Sequence, residues 1–509
     1  MNILLVIPPY TYTKGEHQFI VFPLGMAYIA SSLEKAGHTV SIIDSLVEDP
    51  KPKEDSQGNY LVGLSWNKLI DKIKEINPDV VGVSCGFTSQ FKNTEKLCRL
   101  IKNFNHKIKI FGGGAHASAL IDKVISTGLI DYVIFKEGEA TVVELMDAID
   151  KKNPLSKVKG IGYKNKGKVQ INEKRPFIKN LDTLPFPARH LLPMEKYFKY
   201  GKNHAHNFIT KHSRYTTVVA SRGCPYTCSF CSIHTVWERS WRPRSPENIL
   251  DEVEQLVKIY NIKEIQFEDD NLTLIKDRAM KLFQGIIDRK LNISWTTPNG
   301  ILVNSLDEEL IRVMKKSGCY RVNLGIESGN QEIVDKVVKK PLSLDHCRNM
   351  IKVFKKYNIP VTGFFVMGMP GETIQNMKET IQFIKENDFD DILVSIASPY
   401  PGTELWDIAM KNGYMDHDPN SASYEVKPKY STISTKEFTA KQVEELRNKA
   451  YIEFQLSKLK RHPVKFLTSQ RNYLTLSRYF KFFLYDIVLD PLTNRHRFLQ
   501  KKSKIVAEV

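Results

Sequence analysis

Residues 221–231 read Ser221-Arg222-Gly223-Cys224-Pro225-Tyr226-Thr227-Cys228-Ser229-Phe230-Cys231, directly after the run Thr217–Ala220. Three of the chain's seven cysteines fall within eight residues, separated by gaps of three and then two. Thiolates are soft ligands suited to iron–sulfur clusters and zinc, and grouping them is tolerated when a metal neutralises their charge. A closed zinc site takes four ligands. No fourth Cys or His follows at zinc-finger spacing, although His234 comes three residues on. Three thiolates leave one position of a cubane cluster open, as a catalytic centre requires.

The C-x3-C-x2-C spacing with an aromatic before the last cysteine resembles the radical S-adenosylmethionine (SAM) superfamily. The resemblance implies a 4Fe–4S cluster on Cys224, Cys228 and Cys231, whose free iron chelates the amino acid end of SAM. It also implies a one-electron donor such as flavodoxin or ferredoxin. Downstream, strand patterns at Thr216–Ala220, Glu264–Glu268, Ile293–Thr296, Arg321–Ile326, Val361–Val366 and Ile392–Ile396 alternate with helical ones. These six units predict a partial (β/α)6 TIM-type barrel over residues 216–412, with its chemistry at the carboxyl ends of the strands.

Over roughly residues 216–410 the resemblance turns strand ends into SAM contacts. Phe230 is implied to approach adenine through its backbone, and Glu268 and Asp270 to lie near the amino group. Asn299 is a candidate ribose contact, Glu327 and Ser328 match the segment facing methionine and ribose, and Gly368 opens the segment beside adenine. Each also has a structural reading: Asp269 or Asp270 as a helix cap, Glu327 paired with an arginine, the Gly-Pro turns as strand ends. Trp237, Trp241, Arg242, Arg244 and Tyr400 lie near the expected site loops, and each could simply pack. No residue declares itself catalytic.

Toward the amino terminus, residues 1–150 alternate five strand patterns with helical ones, predicting a doubly wound, parallel, Rossmann-like sheet with its ligand at the carboxyl edge. Two readings compete for that edge. Gly112-x-Gly114-x-x-Ala117 formally matches a dinucleotide fingerprint, with Glu137 as a ribose-binding acid. Alternatively, Pro8-Pro9, Pro23-Leu24-Gly25, Ala36-Gly37-His38, Gly112-Gly113-x-x-His116 and Gly138-Glu139 resemble the cobalamin-binding domain found ahead of many radical SAM domains. That resemblance implies cobalamin contacts from Pro23, Gly25, Phe87, Thr88, Gly112, Gly113, His116, Glu137, Gly138 and Glu139. No Asp-x-His occurs in the chain, so the histidine that lies below cobalt in D-x-H-x-x-G proteins is not expected. Residues 151–215 read as a hairpin and a proline-ordered linker.

Together the two resemblances imply an enzyme, a cobalamin-dependent radical SAM methyltransferase. A 5′-deoxyadenosyl radical would abstract hydrogen from an unactivated carbon, which would then take a methyl group from methylcobalamin. A cyclase or rearrangement enzyme with the same cofactors, and a non-catalytic cobalamin- or cluster-binding protein, stay open. The substrate is unknown.

At 509 residues, 42% hydrophobic and 26% charged, the composition is that of a soluble globular chain of about three domains. The amino terminus lacks a basic leader and no apolar run nears the ~18–20 residues of a membrane span. Cytoplasmic residence is expected, where free thiolates persist. Of the net charge of +17, ten units fall in residues 421–509, with 18 Lys/Arg against 8 Asp/Glu. The region from 413 reads as basic and mostly helical. Its aromatic-basic segment Tyr473–Lys502 is either a cap on the barrel or a peripheral contact with an anionic membrane. No nucleic acid partner is expected.

Overall fold

The computed structural model describes residues 1–12, 20–55, 58–201, 210–415 and 431–467. The first sheet contains β1 (Asn2–Ile7), β2 (Thr39–Asp44), β3 (Val80–Ser84), β4 (Lys109–Gly113), β5 (Tyr132–Ile134), β6 (Ile161–Asn165) and β7 (Lys168–Ile171). Their spatial order is β7-β6-β5-β4-β3-β1-β2. The first five strands are parallel, and each apolar run is buried on both faces, as a helix-covered parallel sheet requires. Alternate residues of β1 go to opposite sides. Leu4 and Val6 pack with Leu69, Ile73 and Leu97, whereas Ile3 and Leu5 pack with Leu33 and Leu145.

The helices doing this are α1 (Leu24–Lys35), α2 (Trp66–Ile76), α3 (Phe91–Phe104), α4 (Ile121–Ser126) and α5 (Glu139–Asp150). From β1 the chain turns one way to β2 and then the other way to β3, so a switch point lies at the carboxyl ends of β1 and β3. Open α/β sheets bind ligands at such points. The hairpin β6–β7, read in the sequence as the start of the linker, hydrogen-bonds antiparallel to β5 and extends this sheet.

The second sheet is built from β8 (Tyr215–Val218), β11 (Glu264–Phe267), β12 (Ser294–Ile301), β13 (Cys319–Glu327), β14 (Val361–Met367) and β15 (Asp391–Ile396). Its six strands are parallel and run in chain order. A short ribbon, β9 (Ser221–Arg222) with β10 (Arg242–Pro243), flanks the cysteine segment. The helices α6 (Pro246–Tyr260), α7 (Lys276–Asp288), α8 (Glu308–Lys316), α9 (Leu344–Lys356) and α10 (Ile374–Glu386) connect the strands. One face of the sheet is apolar and buried, carrying Phe267, Trp295, Leu324, Phe365 and Val394. The register places Gln266, Thr296 and Arg321 side by side on the other, polar face. Between β13 and α9 the chain forms a π-helical turn, Ile333–Val338, closed by Lys339 at φ 61°. Such wide turns concentrate at functional sites.

After α11 (Glu404–Lys411), α12 (Ala440–Arg461) opens with a Thr439/Gln442 capping box and lies along the edge strand β15. The buried Val394 N–H donates to Tyr451 Oη at 3.0 Å, and Arg447 Nε donates to the Val394 carbonyl at 2.8 Å. These side chains occupy the ladder bonds that an edge strand leaves open. Tyr451→Phe strands the Val394 amide and should cost about 1–2 kcal/mol, measured as a lower urea midpoint; an unchanged midpoint would mean that the edge is satisfied otherwise. Among the described residues no helix is long and apolar enough to cross a membrane. The segment Tyr473–Lys502 lies outside the described residues.

Candidate functional site

Gly223 makes the turn into the cysteine loop. It sits at φ 82°, and a Cβ there would come within 2.1 Å of the Ser240 carbonyl oxygen, so the position admits only glycine. The loop is held from outside: Ser229 donates through its amide to the Val338 carbonyl at 3.0 Å and through its hydroxyl to Val337 at 2.7 Å. Asp269 accepts from the Ala220 amide at 2.9 Å and the Ser221 hydroxyl at 2.5 Å, and Asp270 accepts from the Gly223 amide at 3.1 Å. Phe230 and Tyr226 pack their rings on the core of the second domain.

Burial pushes the thiols up, Cys228 to about 12 and Cys231 to about 11, and raises Cys224 as well. Lys340 pulls Cys224 and Cys228 the other way. Three half-buried thiols become thiolates here only when a metal takes up the charge. Among the described residues no three metal-binding groups converge as on a single ion. Three thiols in one loop suit a cluster with one open iron, in which each thiolate takes its own iron.

Beside the loop, Glu327 ends β13 after a register shift, in the left-handed region at φ 72°. A non-glycine residue held there costs about 1–3 kcal/mol and marks a site that its surroundings over-determine. Its carboxylate accepts from Lys340 Nζ at 2.7 Å. A Cβ on Gly325 would fall 2.6 Å from that nitrogen. Lys340, which the sequence reading missed, is delivered by the π-helical turn, its amide donating to the Val334 carbonyl at 3.0 Å. Asn299 donates to the Glu268 carboxylate at 3.0 Å. Ser328 turns its hydroxyl to Thr380 and to the Asn330 amide, and Gly368 faces Val443 of α12.

The Gly368–Glu372 turn is closed by Glu372, fully buried, which accepts both the Gly368 and Met369 amides at 2.8 Å through one oxygen while the other has no partner among the described residues. Burial raises its carboxyl from 4.5 to about 7, the two amides acting against it. The folded chain therefore holds a proton that the unfolded chain releases, so stability falls as pH rises from about 4.5 to about 7 and is then level. Glu372→Gln keeps the acceptor without the charge. It should flatten that segment of the pH profile and raise stability at pH 8 by about 3 kcal/mol; a loss of stability at pH 8 would contradict this account.

At the carboxyl edge of the first sheet, Phe87 is 61% exposed and meets Tyr10 edge-on, ring centres 6.1 Å apart. A Cβ on Gly25 would touch nothing, and one on Gly86 only Ser84 Oγ at 3.8 Å. An exposed aromatic platform with open glycine backbone at a switch point fits the face of a large planar ligand. His116 is not free: Nδ1 lies 3.0 Å from Thr88 Oγ1, its ring packs on Phe91, and burial lowers it to about 4. Cys85, Cys98, Cys319 and Cys347 are buried free thiols.

Glu137 and Glu139, expected on the cofactor, face the cysteine segment. Glu137 accepts from Arg222 Nη1 and Arg242 Nη1, both at 2.8 Å, and from the Ile178 amide. Glu139 accepts from Arg222 Nη2 at 2.6 Å. Burial works against its charge, but Arg222 outweighs it and holds the carboxyl below its usual range. Arg222 and Arg242 were not read as a pair in the sequence, although Arg222 adjoins Gly223-Cys224 and Arg242 was placed near the expected site loops.

Known proteins agree with this layout. The B12 binding domain matches residues 13–146, and the radical SAM superfamily matches residues 218–384. An uncharacterized methyltransferase of Pyrococcus horikoshii is 35% identical over 90% of this chain and 93% of its own length. The cytidylyl-2-hydroxyethylphosphonate methyltransferase of Streptomyces wedmorensis is 32% identical over 85% and 86%. The solved structure of the cobalamin-dependent SAM radical enzyme OxsB, with aqua-cobalamin and SAM bound, aligns with 100% of this chain and 75% of its own at TM-score 0.67 and 19% identity, which speaks to the fold.

Proposed function

The chain belongs to the radical SAM superfamily, in the group with a B12 binding domain ahead of the radical SAM domain, and from that premise we propose that it methylates an unactivated carbon of a substrate yet to be identified. Its cofactors are a 4Fe–4S cluster, SAM and cobalamin. The observation that carries the reading is the meeting of the two sites, since Arg222 of the cysteine segment is bound directly by Glu137 and Glu139 at the edge of the first sheet. Together the cofactors supply one-electron cleavage of SAM and a transferable methyl group.

In this reading the second sheet curls as a partial barrel, and its strand ends form the SAM pocket. Cys224, Cys228 and Cys231 hold the cluster. Glu327 and Lys340 form a fixed, neutral pair against it, so a cationic sulfonium meets no uncompensated lysine. Asp270, Glu268 and Asn299 line the same edge, and Phe230 closes one side. Tyr10, Phe87, Gly25 and the loops after β3 and β4 receive the corrin. An external one-electron donor serves the cluster, and the enzyme works in the reducing cytoplasm.

The test is anaerobic reconstitution with SAM carrying a deuterated methyl group, a chemical reductant, and a small-molecule extract from cells lacking the protein. Formation of 5′-deoxyadenosine together with a new deuterated metabolite is expected. Its formation with a product unchanged in carbon count would favour the cyclase reading, and none from cluster-loaded protein would defeat both.

A further inference from the structure

Between the two candidate cofactor sites lies a closed group of charges. Arg222, Arg242, Glu137 and Glu139 balance two positive charges against two negative, with side chains 8%, 12%, 4% and 8% exposed. The arginines face each other across β9 and β10. Arg222 lies over Tyr28 of α1 at 5.0 Å and beside Trp237 at 5.5 Å, and Arg242 lies over Phe177 at 4.6 Å. Arg242 also donates to the Ile178 carbonyl at 2.7 Å while the Ile178 amide donates to Glu137. All three parts of the chain thus meet on these four side chains.

Their placement along the chain matters more than their number. Arg222 is two residues before the first cluster cysteine. Glu137 lies between β5 and α5, and Glu139 opens α5, at the carboxyl edge of the first sheet. The short helix His234–Trp237, just after Cys231, packs on the helix Ala115–Ala119 of the first domain. A guanidinium with its two sides taken by carboxylates from one loop has little freedom to rotate or slide, because a forked ion pair fixes direction as well as distance. A buried ion pair of this kind is poor evidence for stability, since apolar residues would serve as well; its best-attested use is to specify a register.

We propose that Glu137, Glu139, Arg222 and Arg242 are positioning residues that set the separation between the cobalamin face and the iron–sulfur cluster. This rests on the reading that cobalamin occupies the edge of the first sheet. Methyl transfer between fixed cofactors depends steeply on geometry, and misplacement by about 1 Å can cost on the order of 100-fold.

The experiment uses the reconstituted full chain, reduced so that Co(II) and the paramagnetic cluster coexist, with their dipolar coupling read by pulsed electron paramagnetic resonance. Wild type should give one narrow coupling. Glu139→Gln leaves Arg222 and Arg242 to share the single Glu137 carboxylate, and Arg222→Lys keeps the charge but not the fork. Both should shift or broaden the coupling while iron and cobalamin content stay within about twofold. Lys174→Gln, which removes an exposed contact at the same interface with Glu238, should leave the coupling as in wild type. Should Glu139→Gln fail to fold, Glu139→Asp keeps the charge at shorter reach and should displace the coupling. An unchanged coupling in the folded Glu139 and Arg222 variants would overturn the proposal, as would equal broadening by Lys174→Gln. Wild type lacking any Co(II) signal would instead refute the cofactor reading beneath it.

Discussion

Cys228→Ala should reduce bound iron from about four atoms per chain to background after anaerobic reconstitution, and SAM cleavage with it. Cys224→Ala and Cys231→Ala should do the same, because three thiols already leave one iron of the cluster open and each loss leaves a second iron without its thiolate. Cys319→Ala is the contrast. That thiol is buried away from the loop at the start of β13, so its loss should leave the iron in place and cost about 1 kcal/mol of packing. Iron analysis and the visible charge-transfer band decide the matter. A Cys228→Ala protein that keeps its full iron would remove the cluster from this loop and with it the reading of the site.

The largest stability loss is expected at Glu252 on α6. Its carboxylate accepts from Arg189 Nη1 at 2.7 Å and Arg244 Nη1 at 2.5 Å, with side-chain exposures of 1%, 4% and 4%. Arg189 lies in the stretch between the two sheets and also donates to the Thr217 carbonyl at 2.7 Å, so this triad fastens the connector to the second domain. Glu252→Ala leaves two buried guanidiniums without their anion and should cost about 3–5 kcal/mol. For a domain of this size that corresponds to a Tm lower by about 10 °C in calorimetry. A fall under about 2 °C would show that the arginines find other partners.

The same triad predicts an acid limit. Burial raises the Glu252 carboxyl, but Arg189 and Arg244 outweigh it and hold it below its ordinary 4.5. Its contribution is therefore complete above pH ~4.5 and is lost as pH falls through the lower folded value.

Strands and helices were legible because their signals are local. The β-branched runs of β1 and β3 and the apolar spacing of α6 and α9 sit within a dozen residues, and the structure places those elements where the periodicity put them, to within a residue or two at most boundaries. Two strands ran longer than their apolar cores: β12 continues to Ile301 and β13 begins at Cys319. Thr297 and Ile301 of β12 and Cys319 of β13 pair with the neighbouring strand across register shifts, a tertiary contact that local β preference does not signal.

By itself, then, the sequence determined the two α/β units and their order, and marked the cysteine loop as the candidate cluster site, because each is written in spacing inside one short segment. Only the tertiary structure decided how the units are joined and which side chains are spoken for. Glu137 looked like a cofactor contact because it ends a strand, but its carboxylate meets Arg222, 85 residues away, and Arg242, 105 residues away. The hydroxyl of Ser328, a residue read as a SAM contact, meets Thr380, 52 residues on. A charge or hydroxyl carries no mark of its partner along the chain. Burial, which makes an unpaired one costly, exists only once the chain has folded and brought these distant segments together.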